Sequence, residues 1–239
     1  MGPVAEDGAD GQVAGCAGLQ GVLFDMDGLL VDTEPVWFEV ERLVMARLGG
    51  DWTAADQQAL VGGSLRRSVD YLISRSARPD QAPAFDVVAD WLIGGMADLL
   101  AASEIEPMPG AVALIGEVAA AGLRYALVTS SERVIADAVL KALARHGIGF
   151  DVVVCGADVS QPKPDPEPYR LGAALVGADP RCCVALEDSP NGVRSALAAG
   201  CATVAVPGLV PITARPGLLI VDSLADLDLD RLRSLVAAR

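Results

Sequence analysis

Apolar and polar positions along the chain fall into two regimes. Short apolar runs recur at 22–25, 125–129, 152–155, 183–186 and 203–206, each followed by polar or turn residues. Between them, 111–121, 132–145, 166–176 and 190–199 read as helices. Strands that are apolar on both faces and alternate with helices predict a parallel sheet covered on both sides, a doubly wound, Rossmann-like α/β core. In such a sheet, ligands bind beyond the carboxyl ends of the strands.

The alternation breaks once. From about 35 to 105 only helical patterns occur, at 35–48, 53–60, 64–76 and 84–103, with breaks at Gly49-Gly50, Gly62-Gly63 and Pro79. A block of that size between the first and second strands predicts an inserted all-α cap domain. The expected organisation is a disordered extension over 1–18, an α/β core formed by 19–34 and 107–239, and a helical cap over 35–106. Its hinges are expected at Asp32–Pro35 and at Glu106-Pro-Met-Pro-Gly110.

Composition narrows the function. The 239 residues can bury a substantial core, and with 52% hydrophobic but only 4% aromatic residues that core is built mainly from Ala, Val and Leu. A net charge of −14, with lysine only at 141 and 163, excludes the basic face of a nucleic-acid binder. An anionic ligand therefore needs a few fixed cations or a metal. Cys16, Cys155, Cys182, Cys183 and Cys201 form no CxxC pair and no metal-ligand spacing, and three of them lie in apolar stretches that predict reduced, buried thiols. The first residues lack the basic and apolar regions of a secretory signal, and the best apolar stretch, 111–128, carries Glu117 and Arg124. A cytoplasmic protein without a membrane span is expected.

Polar groups of complementary chemistry follow the predicted strands. The first strand ends in Asp25 and Asp27, and the second in Thr129-Ser130-Ser131. After the third comes Gln161-Pro-Lys-Pro-Asp-Pro166, presenting Lys163, and the fourth ends in Glu187 and Asp188. In a parallel sheet these sets converge. Carboxylates crowded together suit a hard cation with oxygen ligands, of which Mg²⁺ is the usual choice. Lys163 and Thr129 would then hold a phosphoryl group, a carboxylate could attack phosphorus, and its neighbour could move the proton.

At this point the chain resembles the haloacid dehalogenase superfamily, in the β-phosphoglucomutase-like phosphatase subgroup with a helical cap. DMDGLLVDTEP matches the DxDG signature, VTSS the second motif, KPDPEPY the lysine motif and EDSPNGVRSALAAG the terminal acid motif, in order and over roughly 20–208. The resemblance implies that Asp25 is the nucleophile and that Asp27 is the general acid/base, its main-chain carbonyl also binding Mg²⁺. Thr129 and Lys163 would position the phosphate. Asp188, with Glu187 beside or behind it, would complete a metal site shared with Asp25 and Asp27. Ser130, Ser131 and, in the cap, Arg66 and Arg67 are candidate substrate contacts. The expected activity is Mg²⁺-dependent hydrolysis of a small phosphorylated metabolite, a sugar phosphate foremost, by a monomer with no nucleic-acid or membrane partner.

Simpler roles exist for the same residues. Asp25 and Asp27 could cap a strand, Thr129 and Ser130 could cap the helix near Glu132, and Glu187 and Asp188 the helix near Pro190. Paired arginines such as Arg66 and Arg67 are usually solvated, and the single histidine, His146, has no catalytic neighbours in sequence. Two other functions remain open. A phosphosugar mutase is the nearer, but this chain has Glu34-Pro-Val-Trp37 where those mutases carry a histidine, and Glu132 where they tend to carry a lysine. A receiver-like phospho-acceptor is remote, because the third strand, ending Val154-Cys-Gly-Ala-Asp158, lacks the matching aspartate spacing.

Overall fold

The computed structural model describes Cys16 and residues 18–239. The predicted extension 1–18 therefore lies almost wholly outside the described residues. The core is one six-stranded sheet, every strand parallel to its neighbours, built from β1 (Gly21–Phe24), β2 (Arg124–Val128), β3 (Val152–Val154), β4 (Cys183–Glu187), β5 (Ala202–Ala205) and β6 (Leu218–Ile220). The spatial order is β3-β2-β1-β4-β5-β6. Helices α5 (Ala111–Ala120), α6 (Arg133–Ala144), α7 (Glu167–Leu175), α8 (Pro190–Ala199) and α9 (Leu229–Ala237) connect the strands or follow the last.

Alternation along the strands separates two apolar layers. Val22 and Phe24 of β1 pack into one, while Leu23 packs into the other with Val128, Tyr169 and Ala173. All of β1 is buried, as a central strand covered on both faces must be.

Between β1 and α5 stands the helical block, α1 (Glu34–Arg47), α2 (Ala54–Leu60), α3 (Leu65–Arg75) and α4 (Phe85–Ala102). Local chemistry sets its helix starts. Thr53 forms a capping box with Asp56, and the Ser64 hydroxyl accepts from the Arg67 amide. The two connections to the core run side by side: Val31 bridges Pro107, and the Met108 amide donates to the Leu30 carbonyl at 2.8 Å. Helix α4 packs against α6 of the core. At the other end of the block, the Asn191 side-chain amide donates to the Gly62 carbonyl at 3.3 Å.

Three findings depart from the sequence pattern. Strand β6 is three half-buried residues at the sheet edge, too short to show a period. Helix α9 follows it, its Leu229, Leu232 and Val236 buried at helical spacing. The reading of the cysteines as thiols holds for Cys155, Cys183 and Cys201, which are free and buried; Cys16 and Cys182, 166 positions apart, instead form a disulfide.

Candidate active site

The strand register brings the chemistry to one level. Phe24 is paired with Leu127 on one side and Leu186 on the other, so the next residues, Asp25, Val128 and Glu187, lie abreast. Lys163 reaches across all three. Its ammonium donates to Asp25 Oδ1 at 2.6 Å, to Glu187 Oε1 at 2.6 Å and to the Val128 carbonyl at 2.9 Å. The lysine is 5% exposed and Glu187 0%, so these charges sit away from water. Burial alone would lower the lysine pKa, but Asp25 and Glu187 outweigh it and hold the ammonium above its ordinary value.

Glu187 is held from every side. Its Oε1 also accepts from the Tyr169 hydroxyl at 2.6 Å, and its Oε2 from the Ser189 hydroxyl at 3.1 Å. Position 192 must be glycine here, because a Cβ would overlap the Glu187 carboxylate. Gly28 is equally constrained, with φ of +76° and a Cβ position occupied by the Asp188 carboxylate.

Asp27 stands in a cage of donors. Its Oδ1 accepts from Thr33 Oγ1 at 2.6 Å and from Trp37 Nε1 at 3.4 Å; its Oδ2 accepts from Ser131 Oγ at 2.7 Å and Thr129 Oγ1 at 3.3 Å. Three of these are hydroxyls, which can turn to accept when the carboxyl carries a proton; only the indole is fixed as a donor. The cage therefore accommodates both protonation states that an acid/base needs.

Asp25, Glu187 and Asp188 bring one ligand oxygen each within 4.8 Å of one another. Without a cation, burial first and then the Glu187 charge push the Asp25 carboxyl up to about 8. Burial, followed by the charges of Asp25 and Glu187, raises Asp188 well above the usual carboxylate range. Buried oxygen ligands that repel one another, facing a single lysine, fit a hard divalent cation. The Asp27 side chain stands outside this cluster. Both Glu187 oxygens already accept hydrogen bonds, which fits it to positioning Lys163 more than to ligation.

The predicted residues separate into those brought together and those not. Asp25, Asp27, Ser130, Ser131, Lys163 and Asp188 line one cavity, roofed by Glu34, Trp37, Glu41, Gln57 and Gly62 of the helical block. Arg66 and Arg67 do not line it: Arg66 lies 4.7 Å over the Phe85 ring, and Arg67 donates to the Ala59 carbonyl at 2.6 Å. Thr129 and Ser130 do not cap α6, whose N-cap residue is Glu132, and Ser189 caps α8 in place of Glu187 and Asp188. Asp32 is exposed at the hinge, whereas Glu34 faces the cavity. Thr33, Trp37, Tyr169 and Ser189 were not singled out from the sequence, although all four lie within or beside the quoted motifs.

Fold and site together describe a capped hydrolase built around an aspartate pair. The profile of the haloacid dehalogenase-like hydrolases matches residues 22–206, and the chain belongs to that family. Among its relatives, hexitol phosphatase A of Escherichia coli (strain K12) is 33% identical over 195 residues, covering 78% of this chain and 82% of the relative. The crystal structure of CbbY from Rhodobacter sphaeroides in complex with phosphate superposes with a TM-score of 0.80 at 30% identity, over 90% of this chain and 99% of that one. A mutant of that CbbY, solved with xylulose-(1,5)bisphosphate, gives a TM-score of 0.76 at 31% identity, with the same coverage. Among the described residues, no helix is long and apolar enough to cross a membrane.

Proposed function

We propose that this protein is a Mg²⁺-dependent phosphatase that hydrolyses a small sugar or sugar-alcohol phosphate through a phosphoryl group carried on Asp25. The observation that carries this reading is the geometry of the aspartate pair. Lys163 occupies Asp25 Oδ1 at 2.6 Å, while Asp27 waits in the same cavity within its hydroxyl cage. The similarity to hexitol phosphatase A and to CbbY supports the substrate class.

The steps follow from the residues. Asp25, as a carboxylate, attacks phosphorus through the oxygen that Lys163 does not hold, and the bond from phosphorus to the ester oxygen breaks. Protonated Asp27 passes its proton to that leaving oxygen. Water then attacks phosphorus, Asp27 takes the proton, and the bond to Asp25 breaks to release inorganic phosphate. Lys163 neutralises charge on Asp25 and on the phosphoryl oxygens, and Ser130 and Ser131 offer hydroxyls to them. Asp25 and Asp188, with Glu187 beside them, would hold a divalent cation, which would supply charge neutralisation to the carboxylates and the phosphoryl group.

The mutase reading is weaker on this geometry. In the stretch Glu34-Pro-Val-Trp37, where those mutases carry a histidine, Trp37 donates to Asp27 at 3.4 Å, and the acidic Glu132 lines the cavity. A cytoplasmic setting suits a metabolite phosphatase. The test is release of inorganic phosphate from a panel of phosphomonoesters with and without Mg²⁺. Turnover of hexitol or pentitol phosphates supports the reading, and no release from any monoester refutes it.

A further inference from the structure

Away from the phosphate-facing residues, the cavity continues between the helical block and the core. Its wall there includes Glu34, Trp37, Glu41, Gln57, Leu65 and Ser68. Among the described residues Lys163 is the only cation lining the cavity, and it is already shared among Asp25, Glu187 and the Val128 carbonyl. Two polar atoms facing this space lack partners. Glu41 is 4% exposed and its Oε2 makes no hydrogen bond of normal geometry, although the Trp52 indole N–H, also unpaired, lies close to it; the buried Oγ of Ser130, which lines the same cavity, is likewise unpaired. Buried polar atoms without partners are costly and rare, so two of them on one cavity mark bonds that a ligand completes. Gln57 is committed elsewhere: it donates to Glu34 Oε2 at 3.1 Å and to the Glu34 carbonyl at 2.8 Å, which fixes the orientation of Glu34.

We propose that Glu41, oriented beside the Glu34–Gln57 pair, reads hydroxyl groups at the far end of the substrate. The cavity then takes a phosphomonoester with an uncharged polyhydroxylated chain and rejects a second phosphate. This inference rests on the phosphatase reading and adds a specificity-determining residue to it. A hydroxyl donates and accepts at once, so it can satisfy the Glu41 carboxyl whether or not that group carries a proton, while the Ser130 hydroxyl remains for the phosphoryl group. A second phosphate would instead meet the carboxyl groups of Glu34 and Glu132 in a cavity whose described lining offers no free cation, an arrangement that disfavours it. Burial, and next the charge of Glu34, push the Glu41 carboxyl up to about 8, although the nearby Trp52 indole opposes this. Near neutral pH it is mostly an uncharged acid, which suits a hydroxyl better than an ammonium group.

The experiment compares kcat/KM for sorbitol 6-phosphate with that for p-nitrophenyl phosphate, which carries no hydroxyls, in wild type, Glu41→Gln and Glu41→Leu. Fructose 1,6-bisphosphate and phosphoethanolamine complete the panel. Wild type is expected to prefer sorbitol 6-phosphate to both of these. The sorbitol 6-phosphate to p-nitrophenyl phosphate ratio should fall roughly 10- to 100-fold in Glu41→Leu and less in Glu41→Gln, which keeps a hydrogen-bonding group. If Glu41→Leu fails to fold, the near-isosteric Glu41→Gln carries the test through a smaller fall in the same ratio. An unchanged ratio in a folded variant, or wild-type preference for the bisphosphate or phosphoethanolamine, overturns the inference while leaving the phosphatase intact. Absence of hydrolysis on every monoester overturns the phosphatase reading and the inference with it.

Discussion

Replacing Lys163 by Met removes the cation that pairs with Asp25 and Glu187 in a buried cluster of carboxylates while keeping most of the apolar stem. In the native protein the ammonium makes three hydrogen bonds of 2.6, 2.6 and 2.9 Å, all shielded from water. Removing one partner from a buried ion pair costs about 3–5 kcal/mol, because the remaining charges stay buried and uncompensated. Against a total stability of about 5–15 kcal/mol for a typical folded protein, that loss is readily measured. It should depend on pH. Asp25 keeps its proton in the folded state up to about 8, whereas an unfolded aspartate loses it near pH ~4. At pH 5 the Asp25 carboxyl is largely neutral and the missing lysine matters less; toward pH 9 it ionises beside its acidic neighbours and the deficit grows. The assay is urea unfolding of metal-free wild type and Lys163→Met at several pH values. Activity should fall about 10²–10³-fold, the effect typical of removing a group that stabilises transition-state charge. A Lys163→Met protein as stable as wild type at pH 8 to 9 would refute the assignment of a buried charge network.

Further predictions follow from the same geometry. Asp25→Asn should abolish turnover yet raise the stability of the metal-free protein at pH 8, since it deletes one of the repelling carboxylates; circular dichroism melting checks both fold and direction. Metal-free wild type should itself lose stability as pH rises through about 8, because the raised Asp25 carboxyl favours the folded state only while protonated. Mg²⁺ should restore stability in the same window, since ligation requires ionised carboxylates, so the Mg²⁺-induced rise in Tm should grow from pH 5 to pH 8. Gly192→Ala should destabilise by about 1–3 kcal/mol through overlap with Glu187, read by chemical denaturation.

Much of this site was legible in the sequence because its parts sit at fixed places relative to the strands. Asp25 directly follows β1, Thr129 follows β2 and Glu187 ends β4, so a parallel sheet alone brings them together. The role of a long side chain was harder to read. Arg66 and Arg67 are close in sequence to Gly62-Gly63, but their side chains engage the Phe85 ring and the Ala59 carbonyl instead of lining the cavity. Trp37 lies one helical turn into α1, and nothing in its type announces that its indole reaches Asp27. Thr129 illustrates competition between two uses: a good helix cap by type, it is drawn to Asp27 and to the Ser131 amide. The Cys16–Cys182 pairing joins residues 166 positions apart, a proximity that only the folded chain creates.

The central claim is that a phosphoryl group passes through Asp25. Wild-type enzyme mixed with a hexitol monophosphate and Mg²⁺, quenched in acid within milliseconds, reduced with borohydride and mapped by peptide mass spectrometry, tests it most directly. The account predicts substrate-dependent conversion of Asp25 to homoserine, absent in an inactive Asp25→Asn protein. Undiminished hydrolysis by Asp25→Asn, or modification at a different residue, contradicts it.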